Sequence, residues 1–210
     1  MGTFAINTSL RLTDEQYYKE ETKKNLIVLH HTVGGSAKST FDYWQGNPEH
    51  IATSYIVERD GTIYETFDPK YWAHHVGSKD PRNLAINKRS IGIEIASEGS
   101  LIQNNGNLYC FGVVSQRTLW TKPYVDLGRK WRDYQYFDIY DEPQLAAVVD
   151  LVHNLMAEFN IPKAFPKNVL PNLDNYNYDP SYLDHIGICG HAHIRADKSD
   201  VHPLFPWDKI

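Results

Sequence analysis

Eight residues, SIGIEIAS from Ser90 to Ser97, restrict the fold of this 210-residue chain more than any other stretch. Side chains alternate across a strand, so Ile91, Ile93 and Ile95 share one face while Gly92, Glu94 and Ala96 share the other. The isoleucine face is fit for a hydrophobic core. The opposite face carries a carboxylate between two small residues, which predicts open space above Glu94.

The remaining elements are read around that strand. LIVLHHT (Leu26–Thr32) is a compact apolar run of the kind that forms a buried strand; Gly34-Gly35 breaks it, and Ser39 is placed to cap a short helix through Trp44. SYIVERDGTIYETF reads as a β-hairpin turning at Asp60-Gly61, because Gly accepts the positive φ of a tight turn. Thr13-Asp-Glu-Gln16 has the form of a capping box and predicts a short polar helix. Residues 99–140 read as an irregular, aromatic-rich insertion, a hairpin plus loop with a turn at Asn104–Asn107. From Glu142 to Asn160, Leu145, Val148, Val149, Val152, Leu155, Met156 and Phe159 follow the spacing of a core-facing helix that Pro162 ends. HIGICGH then supplies a short strand leading into a polar, histidine-bearing tail. No repeat or linker divides the chain. The expectation is an α/β (α+β) fold: a single domain over residues 1–210, with a central mixed β-sheet flanked by helices.

Bulk properties exclude several functions. A net charge of −5 and a pI near 6.0 argue against a nucleic-acid or anionic-membrane partner, which would favour a basic face. The apolar runs are too short to span a bilayer. The N-terminal stretch has neither a charged n-region nor an apolar h-region, so synthesis in the cytoplasm without a signal peptide is expected. Cys110 and Cys189 lie far apart and outside any C-x-x-C pattern, which makes each a small buried residue and not part of a disulfide framework.

The ten histidines matter more, because several stand at the ends of apolar strands. There the sheet fixes the backbone while the imidazole reaches a cleft. His30-His31 ends the first strand and His191 the last; Lys198 and Asp200 follow. Two neutral imidazoles and one carboxylate make a hydrolytic zinc site with the fourth position left to water, whose pKa falls towards about 7.

LIVLHHT, SYIVERDGTIYE, WAHHVG, SIGIEIAS and GHAHIRADKSDVHPLFPW occur in this order. Together they resemble the type-2 N-acetylmuramoyl-L-alanine amidase family, related to phage amidase lysozymes and peptidoglycan recognition proteins. The likeness runs from about residue 25 to 207, with the 99–140 insertion poorly matched. It implies Zn2+ held by His30, His191 and Asp200 at strand ends, Glu94 as the carboxylate that activates water, and Lys198 as the lysine that stabilises the oxyanion. It also implies Trp72 and His75 in the substrate groove. An amidase made without a signal peptide fits either a phage-type endolysin acting on the cell wall or a wall-recycling enzyme acting on cytoplasmic fragments; the endolysin is the expectation, as a monomer acting on peptidoglycan or muropeptides.

Three departures stand out. Val201-His202 replace the Pro-Gly that members carry after the third ligand, which brings His202 close to the metal. Thr53 occupies the position of a catalytic Tyr found in some members, with Tyr55 two residues on. The path from His191 to Lys198 is about one residue shorter than in some relatives.

Blander readings stand beside these. His193 and His202 are rivals for a coordination position, His31 faces away from His30, and Glu94 has Arg89 and Arg59 as candidate ion-pair partners. Lys198 can be read as a surface lysine, and Trp72, His74 and His75 as cover for the sheet edge. The rival functions are a non-hydrolytic peptidoglycan-binding module and a regulatory protein binding its partner through the 99–140 insertion.

Overall fold

A computed structural model describes residues 5–110, 118–167 and 173–210. Its elements in chain order are β1 (Ile6–Asn7), β2 (Leu26–His31), α1 (Ala37–Gln45), β3 (Tyr55–Val57), β4 (Ile63–Glu65), α2 (Asn83–Arg89), β5 (Ser90–Ile95), β6 (Ser100–Asn104), β7 (Asn107–Cys110), β8 (Tyr124–Trp131), β9 (Tyr134–Asp138), α3 (Glu142–Phe159), β10 (Gly187–Gly190) and α4 (His191–Ile194). A six-stranded sheet runs in the order β1-β4-β3-β5-β2-β10. Strands β3, β5, β2 and β10 pair in parallel, and β4 turns back antiparallel on β3. The expected mixed sheet flanked by helices is what forms.

Parallel strands covered on both faces read as continuous apolar runs, and all six residues of β2 are buried. Alternation divides them. Ile27 and Leu29 join Ile91, Ile93 and Ile95 in the main core, against Val148, Leu151, Val152 and Leu155 of α3. Leu26 and Val28 face the other way, into a cluster with Val76, Ile86, Leu183, Cys189 and Ile194. His30 lies on this second face and His31 on the first.

Several sequence expectations need correction. Thr13–Gln16 forms one turn, closed by Gln16 N–H to the Thr13 carbonyl at 2.9 Å, and no helix follows. Tyr17 stacks on Phe67 at 4.8 Å and Tyr18 bridges to Trp72, so tertiary packing draws the chain out of helical geometry. Helix α1 is capped by Ser36, not Ser39: the Ser36 Oγ accepts from Ser39 N–H at 3.2 Å. Helix α3 ends at Asn160, whose left-handed φ of 54° closes it before Pro162 is reached.

The 99–140 segment is more regular than its composition implies. Its described residues form a second, antiparallel sheet in the order β7-β6-β9-β8. The turn at Asn104–Asn107 is present, with Asn105 and Gly106 at positive φ. Strand β8 is exposed along most of its length, so it lacks the apolar alternation by which a strand is recognised. Asp138 ties this sheet to the main one: it pairs with Arg59 and accepts from Glu98 N–H at 2.8 Å.

Candidate metal centre

Strand register assembles the site. In the parallel pairing, His30 lies beside Glu94, and Gly190 lies beside Leu29, so His191 follows at the level of His30. The two histidines and Glu94 thus meet at the carboxyl ends of adjacent strands. Asp200 returns after α4, its carbonyl accepting from Ala192 N–H at 2.6 Å. The His30 and His191 Nδ1 atoms are 3.0 Å apart, and Asp200 Oδ2 lies 3.1 Å from the first and 2.9 Å from the second. All three residues are buried. Among the described residues they form the one His/Cys/Asp/Glu cluster able to hold a metal ion.

Outer hydrogen bonds identify the free nitrogens. Ser90 donates its hydroxyl to the Ile86 carbonyl at 2.6 Å, so it accepts from His75 Nε2–H at 2.8 Å. A neutral His75 then offers a bare Nδ1 to His30 Nε2–H, 3.0 Å away. That leaves His30 Nδ1 unprotonated. On the other side, His191 Nε2–H donates to the Val76 carbonyl at 2.7 Å, which leaves His191 Nδ1 unprotonated too. Two imidazole lone pairs and a carboxylate oxygen therefore converge with no proton between them. Such an arrangement is repulsive unless a cation occupies its centre. Zinc bonds of about 2.0–2.1 Å in tetrahedral geometry place donor atoms roughly 3.3 Å apart, close to the observed edges. The donor set fits Zn2+.

The electrostatics agree. Burial, then the facing His191, push His30 down to about 4, against the pull of Asp200. Burial, then the neighbouring His30, hold His75 well below the usual imidazole range. Burial alone would raise Asp200, and it is positive charge facing it from the His191 and His30 side that holds its carboxyl well below the ordinary carboxylate range, the direction in which a cation at the centre of the cluster would also act. Glu94 behaves oppositely. Burial, then the nearby Asp200 charge, raise it to about 8, with Lys198 opposing. Its Oε2 is shielded from solvent without a hydrogen-bond partner. Arg59 pairs instead with Asp138 and Asp141, and Arg89 donates to Asn25 and to two carbonyls. Neither arginine is the ion-pair partner considered for Glu94.

Glu94, Lys198, His75 and the three clustered residues all line one cleft of about 320 Å³, with Thr53 and Tyr134 on its walls. A second lobe of about 390 Å³ shares His75, His191 and Lys198 and adds His74, Arg195 and Glu49. The strand face at Gly92 is occupied, not open. A Cβ there would stand 2.6 Å from Thr53 Cγ2 and 3.1 Å from His75 Nδ1, so glycine is what lets the His75 ring approach.

Trp72 is not among the lining residues of either lobe. It is buried, stacked on Tyr18 at 4.0 Å, with its indole N–H donated to Glu20. His202 lies outside the cluster, stacked on Tyr140 at 4.9 Å, because the chain after Asp200 turns it to the His31 side of the sheet. His193 Nδ1 accepts from Gly190 N–H at 3.1 Å. His31 meets the Tyr140 hydroxyl at 3.2 Å.

Two supporting residues carried no sequence signal. Ser90 reads as an ordinary first residue of a strand. Asn87, in the last turn of α2, accepts from His75 and Val76 N–H at 2.8 and 3.0 Å and so fixes the segment that supports both imidazoles.

The sequence model of the N-acetylmuramoyl-L-alanine amidase family matches residues 20–203. The chain belongs to that family. The amidase fold also appears in similar solved structures. PlyL is 16% identical with a TM-score of 0.52, covering 95% of this chain and 87% of its own. A mutant endolysin from Bacillus subtilis is 19% identical with a TM-score of 0.53, covering 98% and 96%. The amidase AmiD from E. coli, solved with an anhydro-N-acetylmuramic acid tripeptide substrate, is 18% identical with a TM-score of 0.54, covering 94% and 60%. No curated protein matches the sequence. Among the described residues no helix is long and apolar enough to cross a membrane.

Proposed function

We propose that this member of the amidase family is zinc-dependent and hydrolyses the amide between the lactyl group of muramic acid and L-alanine in peptidoglycan. The observation that carries the reading is the convergence of two unprotonated imidazole nitrogens and a carboxylate oxygen at 2.9–3.1 Å beside Glu94. His30, His191 and Asp200 hold the ion, which when bound supplies Lewis acidity for the carbonyl and makes water a nucleophile near neutral pH. Glu94 takes the proton of the attacking water and returns it to the departing amine. Its raised pKa suits the second task, since a carboxyl that reprotonates readily is a competent acid. Lys198, which lines the same cleft, meets the negative charge that grows on the carbonyl oxygen. His75, with both ring nitrogens engaged internally, orients His30 and leaves substrate contact to other groups.

A phage-type endolysin acting as a monomer is the biological form we favour. Likeness to the endolysin fold supports the first part, and a complete ligand set within one chain supports the second. Digestion of purified peptidoglycan, before and after chelation, tests the reaction. Mass spectrometry should find free L-alanine amino termini and lactyl-bearing muramic acid, lost with chelator and restored by zinc. Cleavage at another bond, or zinc binding with no amine released, would overturn it.

A further inference from the structure

One side chain of the insertion sheet grips the loop that carries His191 and Asp200. In the two-residue turn between β8 and β9, Arg132 and Asp133 both take positive φ, 48° and 70°. That turn directs the Arg132 guanidinium into the loop joining His191 to Asp200. Its Nη2 donates to the Ala192 carbonyl at 2.7 Å, and its Nη1 donates to the carbonyls of Arg195, at 3.2 Å, and Lys198. The acceptors are spaced three residues apart, so the loop is wrapped around the guanidinium. The cation also lies over Trp131, 4.8 Å from the ring centroid. Trp131 in turn donates its indole N–H to the Tyr176 carbonyl at 2.7 Å, and Tyr176 donates its hydroxyl to the Val201 carbonyl at 3.0 Å. The segment carrying His191, Lys198 and Asp200 is therefore gripped just after His191, at Arg195 and Lys198, and just after Asp200.

We infer that Arg132 is a positioning residue: its guanidinium sets the separation of His191 from Asp200 and the placement of Lys198, making the insertion part of the active centre. A planar fork with five N–H donors can serve three carbonyls at once, and an ammonium on a flexible stem cannot hold the same directions. The need is plain in a loop that has Val201-His202 after Asp200 and only eight residues between His191 and Asp200. The inference rests on the metal reading above, and its test separates the two.

Zinc affinity is measured by competition with a chromogenic chelator for the wild type, Arg132→Ala, Arg132→Lys and, as a control, Arg129→Ala. Arg129 lies on β8, three residues before Arg132, but pairs with Asp174 at the surface. Arg132→Ala should bind zinc about 10–100-fold more weakly, the range for removing groups that orient metal ligands, while Arg129→Ala matches the wild type. Millimolar guanidinium should restore part of the affinity of Arg132→Ala. On peptidoglycan fragments, kcat should fall on the order of 10²-fold, with KM changing much less. Arg132→Lys should fall between, and it carries the test if Arg132→Ala does not fold. Zinc affinity within about twofold of wild type in the folded Arg132 variants would overturn the inference. A wild type that binds no zinc would instead sink the metal reading itself.

Discussion

Keeping Glu94 ionised beside a second carboxylate, with one oxygen shielded and unpartnered, is costly. The sign of its pH dependence follows. The folded pKa, about 8, lies above the unfolded value, so the folded state holds the extra proton between the two. The favourable contribution is complete below pH ~4.3 and is lost as pH rises through 8. In the metal-free protein, Glu94→Gln should therefore leave the unfolding free energy unchanged at pH 4 and raise it at pH 8, by an amount on the order of a few kcal/mol. The same substitution should lower turnover about 10²–10⁴-fold while zinc remains bound; calorimetry and a steady-state assay check the two halves. His202 gives a second residue-scale case. Burial pushes it down to about 3, and neither ring nitrogen has a partner. Its folded pKa lies below the unfolded one, so stability is present above pH ~6.5 and drains away towards 3. His202→Phe, which keeps the stack on Tyr140, should be more stable than the wild type at pH 5 by roughly 1–2 kcal/mol, and so melt higher. A lower melting point at pH 5 would show that the imidazole has a polar partner after all.

At the scale of elements, strand register and the outer hydrogen bonds do what no single ligand does. Position 30 reaches position 94 because β2 and β5 pair in parallel without a shift. His30 presents Nδ1, and not Nε2, because Ser90 and His75 sit behind it. Ser90→Ala should free His75 to change tautomer and weaken zinc binding about tenfold or more. Long-range nitrogen–proton NMR should then show mixed protonation of His75, where the wild type shows a proton on Nε2 alone. This layer separates what the sequence made legible from what it did not. His30, His191 and Glu94 were readable because strand ends and alternation place them before any contact is known, and Lys198 only through the family resemblance of the stretch around it. Ser90, Asn87 and Arg132 were not, since Ser90 acts through the ring nitrogen of another histidine and Asn87 and Arg132 through backbone amides or carbonyls far along the chain, contacts that leave no trace in residue identity. The helix expected at Thr13 failed for a related reason: Tyr17 and Tyr18 gain more from Phe67 and Trp72 than a short polar helix could offer. The insertion strands escaped because most of β8 is exposed and shows no period.

For the whole molecule, one residue of the candidate metal cluster lies near the start of the chain and two near its end. Between them stand the sheet, the insertion and α3. An ion joining positions 30, 191 and 200 cross-links the first parallel strand to the last, so binding is linked to folding. Zinc at about a hundred times its dissociation constant should stabilise the protein by about 2.7 kcal/mol. For a chain of this size that is a rise in melting temperature of roughly 5–10 °C, reversed by chelator. The most direct test is the environment of the metal itself. X-ray absorption at the zinc edge of the zinc-loaded protein should show one site per chain with two imidazole nitrogens and carboxylate oxygen at about 2.0–2.1 Å, and His30→Ala should remove one imidazole from that shell. A shell without imidazole, or one unchanged in His30→Ala, would contradict the account.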